Sequence, residues 1–347
     1  MGLLSLFQTK EIAIDLGTAN TRIVQNGRVE IEEPSCVAID RKSGELVTAG
    51  KHALTMIGSD SVRFIDPLQE GVVAYFHAAE LMLTEFLHRM NCKPKSLFSP
   101  VFKVLVSIPS DITEAEERII GDLFKRIGFK KVRRVHGPMV AAIGMGLDVL
   151  NNDGKMIVDV GGGTSEIVVI ALGGIITDKS IKTAGDKFNT DIVDYMRNEH
   201  NVRISKQTAE WIKTTVGAAM PNIDNPPPNL EIEKRDLSTY KIKNISITHH
   251  EIAMALDASI SEIETAILKT LTQTPPELVD DIMASGIFLT GGGSLLRGLD
   301  KRISLKTKLP VHTANKPLQS VIQGNVILLQ NWDKFSIIVK KVQLEKL

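Results

Sequence analysis

This chain of 347 residues has little cysteine and no excess charge. Its two cysteines, Cys36 and Cys92, lie in no C-x-x-C pair, and no His/Cys group has metal-ligand spacing. There is thus no sequence signal for a zinc site, and the usage fits a reducing cytoplasm. Lysine plus arginine total 41 and aspartate plus glutamate total 41, so the formal net charge is zero. No bulk field draws the chain to nucleic acid or to an acidic substrate, and no nucleic-acid partner is expected. No apolar run reaches the ~18–20 residues that a membrane span requires. The N-terminus lacks the charged region and longer apolar region of a secretory signal. Hydrophobic residues make up 43%, ordinary for a globular protein, and the length suggests two domains or more.

The informative residues are glycines. Asp159-Val160-Gly161-Gly162-Gly163-Thr164-Ser165-Glu166 lies between two apolar, β-branched flanks that read as strands, which makes the middle a hairpin turn. Glycine reaches φ > 0 and lets backbone N–H groups approach an anion closely. A carboxylate at the entrance of such a turn would repel a bare phosphate but could hold a water or a Mg²⁺ bridging to it. Alone, the turn is equally an ordinary hairpin. A second copy raises its significance: residues 11–24 repeat the plan, with an apolar strand entering Asp15-Leu16-Gly17-Thr18 and another leaving. Two such hairpins about 145 residues apart suggest a duplicated fold offering one turn from each half to a phosphate chain. A third turn, Gly291-Gly292-Gly293-Ser294, follows an apolar strand and precedes Leu295-Leu296-Arg297-Gly298, a strand–Gly–helix order typical of nucleotide sites.

With these motifs the chain resembles the actin superfamily and, within it, the MreB family of bacterial rod-shape proteins. The carriers are IDLGTANT at 14–21, EEPSCVAID at 32–40, VDVGGGTSEIVVIALGGI at 158–175, AGDKFNTDI at 184–192 and QTPPELVDDIMASGIFLTGGGSLLRGLDKRI at 273–303. The resemblance implies an α/β, actin-like (ribonuclease H-like) duplicated fold of two domains around a central nucleotide cleft, with four subdomains. It assigns 1–32 and 66–143 to subdomain IA, 33–65 to IB, 144–181 and 246–347 to IIA, and 182–245 to IIB. It implies ATP and Mg²⁺ as cofactors. Asp15 and Asp159 would organise the metal, mostly through water. Gly17, Thr18, Ala19 and Asn20, with Gly161, Gly162, Gly163 and Thr164, would cradle phosphates. Gly185 and Asp186 would lie near ribose and phosphates, and Glu210, Lys213, Gly292, Gly293, Ser294 and Leu295 would hold the nucleoside. From the residues alone, Asp186 is equally a helix-start acid, and Glu210 with Lys213 a surface ion pair.

The chain departs from the family at several positions. The family's Glu-Pro-Met-Ala-Ala-Ala-Ile-Gly is here Gly137-Pro138-Met139-Val140-Ala141-Ala142-Ile143-Gly144, and the lost glutamate is the residue that polarises the attacking water. Glycine has no group to do this, so hydrolysis is expected to be slow or absent. His136 beside it is a weak substitute, because neighbours in extended chain point apart, and Thr164 is a further candidate for positioning water. Asp66 stands where a basic residue is usual, Lys316 replaces an acid, and Gly324-Asn325 replaces Gly-Thr or Gly-Ala.

Two segments read as membrane contacts. Met1-Gly2-Leu3-Leu4-Ser5-Leu6-Phe7 is costly to leave in water, and Leu97-Phe98 sits in a Pro/Ser loop with nearby lysines. The first is also compatible with a strand extension or a packed terminus. The resemblance implies self-assembly into filaments, the inner face of the cytoplasmic membrane as location, and partners among lipids and cell-wall elongation proteins. A sugar or acetate kinase of the superfamily, and a divergent paralogue regulating another filament protein, stand as alternatives. Helices are expected over 78–90, from Thr113 to Gly128, 185–197 and 206–216, the last capped by Ser205 and stopped by Gly217. Thr113/Glu116 and Thr248/Glu251 have capping-box form. Ile260, Ile263, Ile267 and Leu271 form a stripe that reads as core.

Overall fold

The computed structural model describes residues 10–92, 94 and 102–341. Leu3, Leu4, Leu6, Phe7, Leu97 and Phe98 lie outside them. The chain divides into two compact units, one of 1–151, 172–174 and 319–347, the other of 152–171 and 175–318.

The first unit begins with a meander of β1 (Lys10–Leu16), β2 (Asn20–Gln25) and β3 (Arg28–Pro34), each antiparallel to the next. A three-stranded sheet of β4 (Val37–Asp40), β5 (Leu46–Ala49) and β6 (Val62–Ile65) follows, with α1 (Lys51–Leu54) in between. The pair β7 (Leu68–Gln69) and β8 (Val72–Val73) leads to α2 (Phe76–Arg89). Next come β9 (Phe102–Ile108), α3 (Glu114–Ile127), β10 (Val132–His136) and α4 (Gly137–Gly144). β9 runs parallel to both β1 and β10, which places Ser107 level with both Asp15 and Val135. The core joins Ile12, Ile14 and Ile23 of the sheet to Phe86 of α2 and Phe124 of α3. Thr113 caps α3 in a full capping box, and Gly128 ends it at φ 115°, as read from the sequence. Cys36 and Cys92 are buried, which pushes their thiols up to about 12 and about 11 and leaves them unreactive.

The second unit repeats this order. β11 (Lys155–Val160), β12 (Ser165–Ala171) and β13 (Gly174–Ile181) are followed by α5 (Gly185–His200) and α6 (Lys206–Val216). The hairpin of β14 (Leu230–Arg235) and β15 (Ile242–Ile247) leads to α7 (His249–Gln273) and α8 (Pro276–Ser285). After these come β16 (Ile287–Thr290), α9 (Leu299–Thr307) and β17 (Val311–Thr313). The sheet order β13-β12-β11-β16-β17 matches β3-β2-β1-β9-β10, and in both the last two strands run parallel to the first. Ile260, Ile263 and Ile267 are fully buried against this sheet's core, while Leu271 packs at its margin. Thr248 closes its capping box with Glu251. Gly217 ends α6 differently from a left-handed cap: its backbone is extended (φ −63°, ψ 140°), and a Cβ there would lie 2.1 Å from the Lys213 carbonyl oxygen.

The C-terminal segment corrects the expected grouping of 246–347 in one subdomain. Residues from Gln319 onward belong to the first unit. Helix α10 (Ser320–Gln330) packs on α4, and β18 (Lys340–Lys341) pairs antiparallel with β10. Two glycines allow the helices to approach. A Cβ at Gly144 would sit 1.9 Å from the Ser320 carbonyl oxygen, and one at Gly324 1.9 Å from that of Val140. Phe335, Ile338 and Val339 are buried, so the segment through residue 339 packs on the body.

Candidate functional site

The two hairpin turns are built alike. In the first unit, Leu16 pairs with Thr21 and the Gly17 N–H donates to the Asn20 carbonyl at 3.1 Å. In the second, Val160 pairs with Ser165 and the Gly161 N–H donates to the Thr164 carbonyl at 2.9 Å. The turns do not need positive φ, contrary to the expectation from glycine content: Gly17, Gly161, Gly162 and Gly163 all lie outside the left-handed region. Crowding is the better reason, since a Cβ would stand 2.6 Å from the Asn20 oxygen at Gly17 and 3.1 Å from the Thr164 oxygen at Gly161.

Each turn is braced by buried hydroxyls. Ser35 Oγ donates to the Gly17 carbonyl at 2.7 Å and lies 2.9 Å from Thr21 Oγ1. Ser165, at the position equivalent to Thr21, donates through Oγ to the Thr183 carbonyl at 2.6 Å. The matching hydroxyl after each turn was visible in the duplicated alignment; Ser35 and Thr183, which come from elsewhere in the chain, were not. Thr18 Oγ1 accepts the Gly71 N–H at 3.0 Å, which leaves its own proton free to donate. Ala19 is exposed.

The entrance carboxylates differ. Asp15 faces Arg22 across the strands, with Arg22 Nη1 3.5 Å from Oδ2. Burial pushes the Asp15 carboxyl above its ordinary range, and the Arg22 guanidinium draws it partly back. Asp159 faces Glu166 instead, and its other neighbour in register is Thr290, at the end of β16. The third glycine turn starts there. Gly291 has φ 81°, and a Cβ on it would lie 2.3 Å from Asp159 Oδ1; one on Gly293 would lie 2.2 Å from Val160 Cγ1. This turn is therefore pressed against the second hairpin. A single 3₁₀ turn, Gly292–Leu295, follows it rather than an α-helix. Ser294 is buried and closes the turn by donating to the Gly291 carbonyl at 2.6 Å. Leu295 is exposed, and Leu318 reaches over Gly292.

The start of α5 docks on the same hairpin. The Gly185 N–H donates to the Gly161 carbonyl at 3.1 Å and the Asp186 N–H to the Gly162 carbonyl at 2.8 Å. Asp186 is raised from its ordinary value by burial, opposed by Lys206 and Lys213 and reinforced by Glu210. Lys213 Nζ donates to Glu210 Oε2 at 2.7 Å and to the Gly185 carbonyl at 3.2 Å, so the i,i+3 pair is anchored to the helix start. Asn189 donates to the same Glu210 oxygen at 2.8 Å, while its own Oδ1 is buried with no hydrogen-bond partner. Sequence reading missed Asn189; only its position one helical turn after Asp186 pointed to it. In the second unit, then, Asp159, Gly161–Thr164, Gly185, Asp186, Asn189, Glu210, Lys213 and Gly291–Leu295 form one connected neighbourhood.

In the first unit, α4 opens at Gly137. His136 precedes it, half-buried, with Nδ1 3.1 Å from the Pro109 carbonyl oxygen. A carbonyl only accepts, so Nδ1 carries the proton in that bond.

The sequence pattern of the MreB/Mbl protein family matches residues 9–337. The chain is 39% identical over 328 residues to the cell shape-determining protein Mbl of Bacillus subtilis, covering 94% of this chain and 97% of that one. It is 36% identical over 323 residues to the cell shape-determining protein MreB of Escherichia coli, covering 91% and 92%. Among solved structures it resembles MreB5 of Spiroplasma citri bound to ADP, with a TM-score of 0.88, 33% identity and coverage of 94% and 98%. The MamK double helical filament, at 19% identity and a TM-score of 0.78, shares the fold. The doubled sheet is thus an actin-like fold, and the chain belongs to the MreB/Mbl family of cell shape-determining proteins.

Proposed function

We propose that this protein is an ATP-binding, filament-forming actin-like protein that works at the cytoplasmic face of the membrane and helps set rod shape by organising cell-wall synthesis. One observation carries the nucleotide reading: the same backbone-closed turn, preceded by an aspartate, occurs twice, at Gly17–Asn20 and Gly161–Thr164. Structures of MreB5 of Spiroplasma citri bound to ADP and to AMPPNP support it. The residues present fit such a ligand. Asn189 Oδ1 is a buried acceptor with no donor, suited to a ribose hydroxyl, and Lys213 supplies a cation beside it. Among the described residues no cluster of three His, Cys, Asp or Glu could hold a metal by itself. Mg²⁺ would be carried by the phosphates and water, where it would offset phosphate charge.

Filament formation is supported by the MamK double helical filament at the level of the shared fold. Membership in the MreB/Mbl family leaves the sugar or acetate kinase reading without support.

Hydrolysis is proposed to be slow, because Gly137 has no side chain to orient water and His136 is tied through Nδ1 to Pro109. The experiment is phosphate release from ATP, measured alongside sedimentation, for wild type, Gly137→Glu and His136→Ala. The expected result is ATP-dependent pelleting of wild type with little release, and a gain of roughly 10²–10⁴ in Gly137→Glu, the size of a positioned base. Wild-type hydrolysis equal to that of Gly137→Glu, abolished in His136→Ala, would transfer the role to His136 Nε2.

A further inference from the structure

Val193, Asp194 and Arg197 lie on one face of α5, and the chain leaving that helix brings Arg203, Ile204 and Lys206 against them. The turn of the β14–β15 hairpin adds Leu237, held in place where its N–H donates to the Asn201 carbonyl at 2.9 Å. Together these residues line a cavity of about 520 Å³, within the size range of small-molecule sites. Part of the lining is apolar, from Val193, Ile204 and Leu237. The remaining lining residues are Thr190, the cations Arg197, Arg203 and Lys206, and Asp194 as the one carboxylate. Lys206 is partly committed to the field of Asp186. Neither Arg197 nor Arg203 has a carboxylate partner among the described residues.

Exposed unpaired cations are ordinary on a convex surface. Here Arg197, Arg203 and Lys206 all border one concave site with a mostly apolar lining, within the second unit. Planar guanidinium groups bind phosphate oxygens in pairs, and the apolar walls favour an organic body attached to that phosphate. We infer that this cavity is a second ligand site, sharing no residue with the nucleotide-binding set, for a phosphate ester that carries an apolar group. A soluble phosphorylated metabolite and a phospholipid headgroup have this chemistry in common.

The test uses the full chain with saturating ADP and Mg²⁺, titrated calorimetrically with phenyl phosphate, and in parallel pelleted with vesicles of phosphatidylglycerol or phosphatidylcholine. Because the substituted side chains are exposed, Arg197→Gln/Arg203→Gln should keep the wild-type melting temperature and ADP affinity. It should lose at least tenfold in affinity for phenyl phosphate or for phosphatidylglycerol vesicles, and Leu237→Ser should weaken the same ligand. Loss confined to phenyl phosphate identifies a soluble ester as the source, and loss confined to phosphatidylglycerol a lipid. Equal binding of both probes by wild type and the double variant, or saturable binding of neither by wild type, overturns the inference. Failure of ADP to bind would count against the nucleotide reading alone.

Discussion

Asp15 shows how a single residue carries opposing demands. Burial raises its carboxyl above the ordinary range, and Arg22 only partly offsets this. A carboxylate with a folded pKa above its unfolded value binds its proton more tightly when folded. Its contribution to stability therefore declines as pH rises through that window, and its ionised form is a net cost at neutral pH. Asp15→Asn removes the cost, and Arg22 keeps Glu32 at 3.0 Å. The expected outcome is a nucleotide-free melting temperature at pH 7 equal to or above wild type, with the rise induced by Mg·ATP reduced or lost. Thermal scans with and without Mg·ATP measure both. A lower nucleotide-free melting temperature would show that the Arg22 ion pair outweighs burial. The presence of Asp15 at a turn was legible in the sequence because an apolar strand and a glycine flank it. The braces were not, because the Ser35 hydroxyl and the Thr183 carbonyl reach their turns through tertiary contacts.

At the scale of elements, the readable features were those whose cause is local. Thr113 with Glu116 and Thr248 with Glu251 satisfy orphan N–H groups three residues away, so spacing alone reveals them. The place of α10 depends instead on a helix nearly two hundred residues earlier, and its own sequence says little about which surface it meets. Gly144 and Gly324 decide that contact, since each would drive a Cβ to 1.9 Å from a backbone oxygen of the other helix. Backbone cannot step aside as a flexible side chain can. Gly324→Ala and Gly144→Ala are each expected to cost about 1–3 kcal/mol in urea-unfolding free energy, the usual range for overpacking. A shift in the denaturation midpoint at unchanged slope checks this. A neutral effect of either change would mean that α4 and α10 separate at little cost. Asn325, fully buried next to Gly324, donates through Nδ2 to Ser107 Oγ at 3.2 Å. This departure from the family pattern thus has a structural partner on the strand level with Asp15.

For the whole molecule, no described helix is long and apolar enough to cross a membrane, so the membrane association proposed above would rest on short segments. Two apolar clusters stand out in the sequence, Leu3-Leu4-Ser5-Leu6-Phe7 and Leu97-Phe98. Each buried side chain of this kind is worth about 1.5–3 kcal/mol, so the Leu97-Phe98 pair alone would hold a monomer weakly, and many copies in the proposed polymer would hold strongly through effective concentration. Membrane binding should therefore depend on assembly. With ATP and phosphatidylglycerol vesicles, wild type is expected to float with lipid, and the fraction bound should rise steeply above the concentration at which it pellets alone. Leu97→Ala/Phe98→Ala, or removal of residues 1–7, should each lower that fraction while leaving lipid-free pelleting intact, and the combination should abolish it. Floating of the combined variant at wild-type levels would rule out both segments and turn attention to charge, including the Arg197/Arg203 cavity. Loss of lipid-free pelleting in the same variant would instead mark these residues as part of a protein–protein contact.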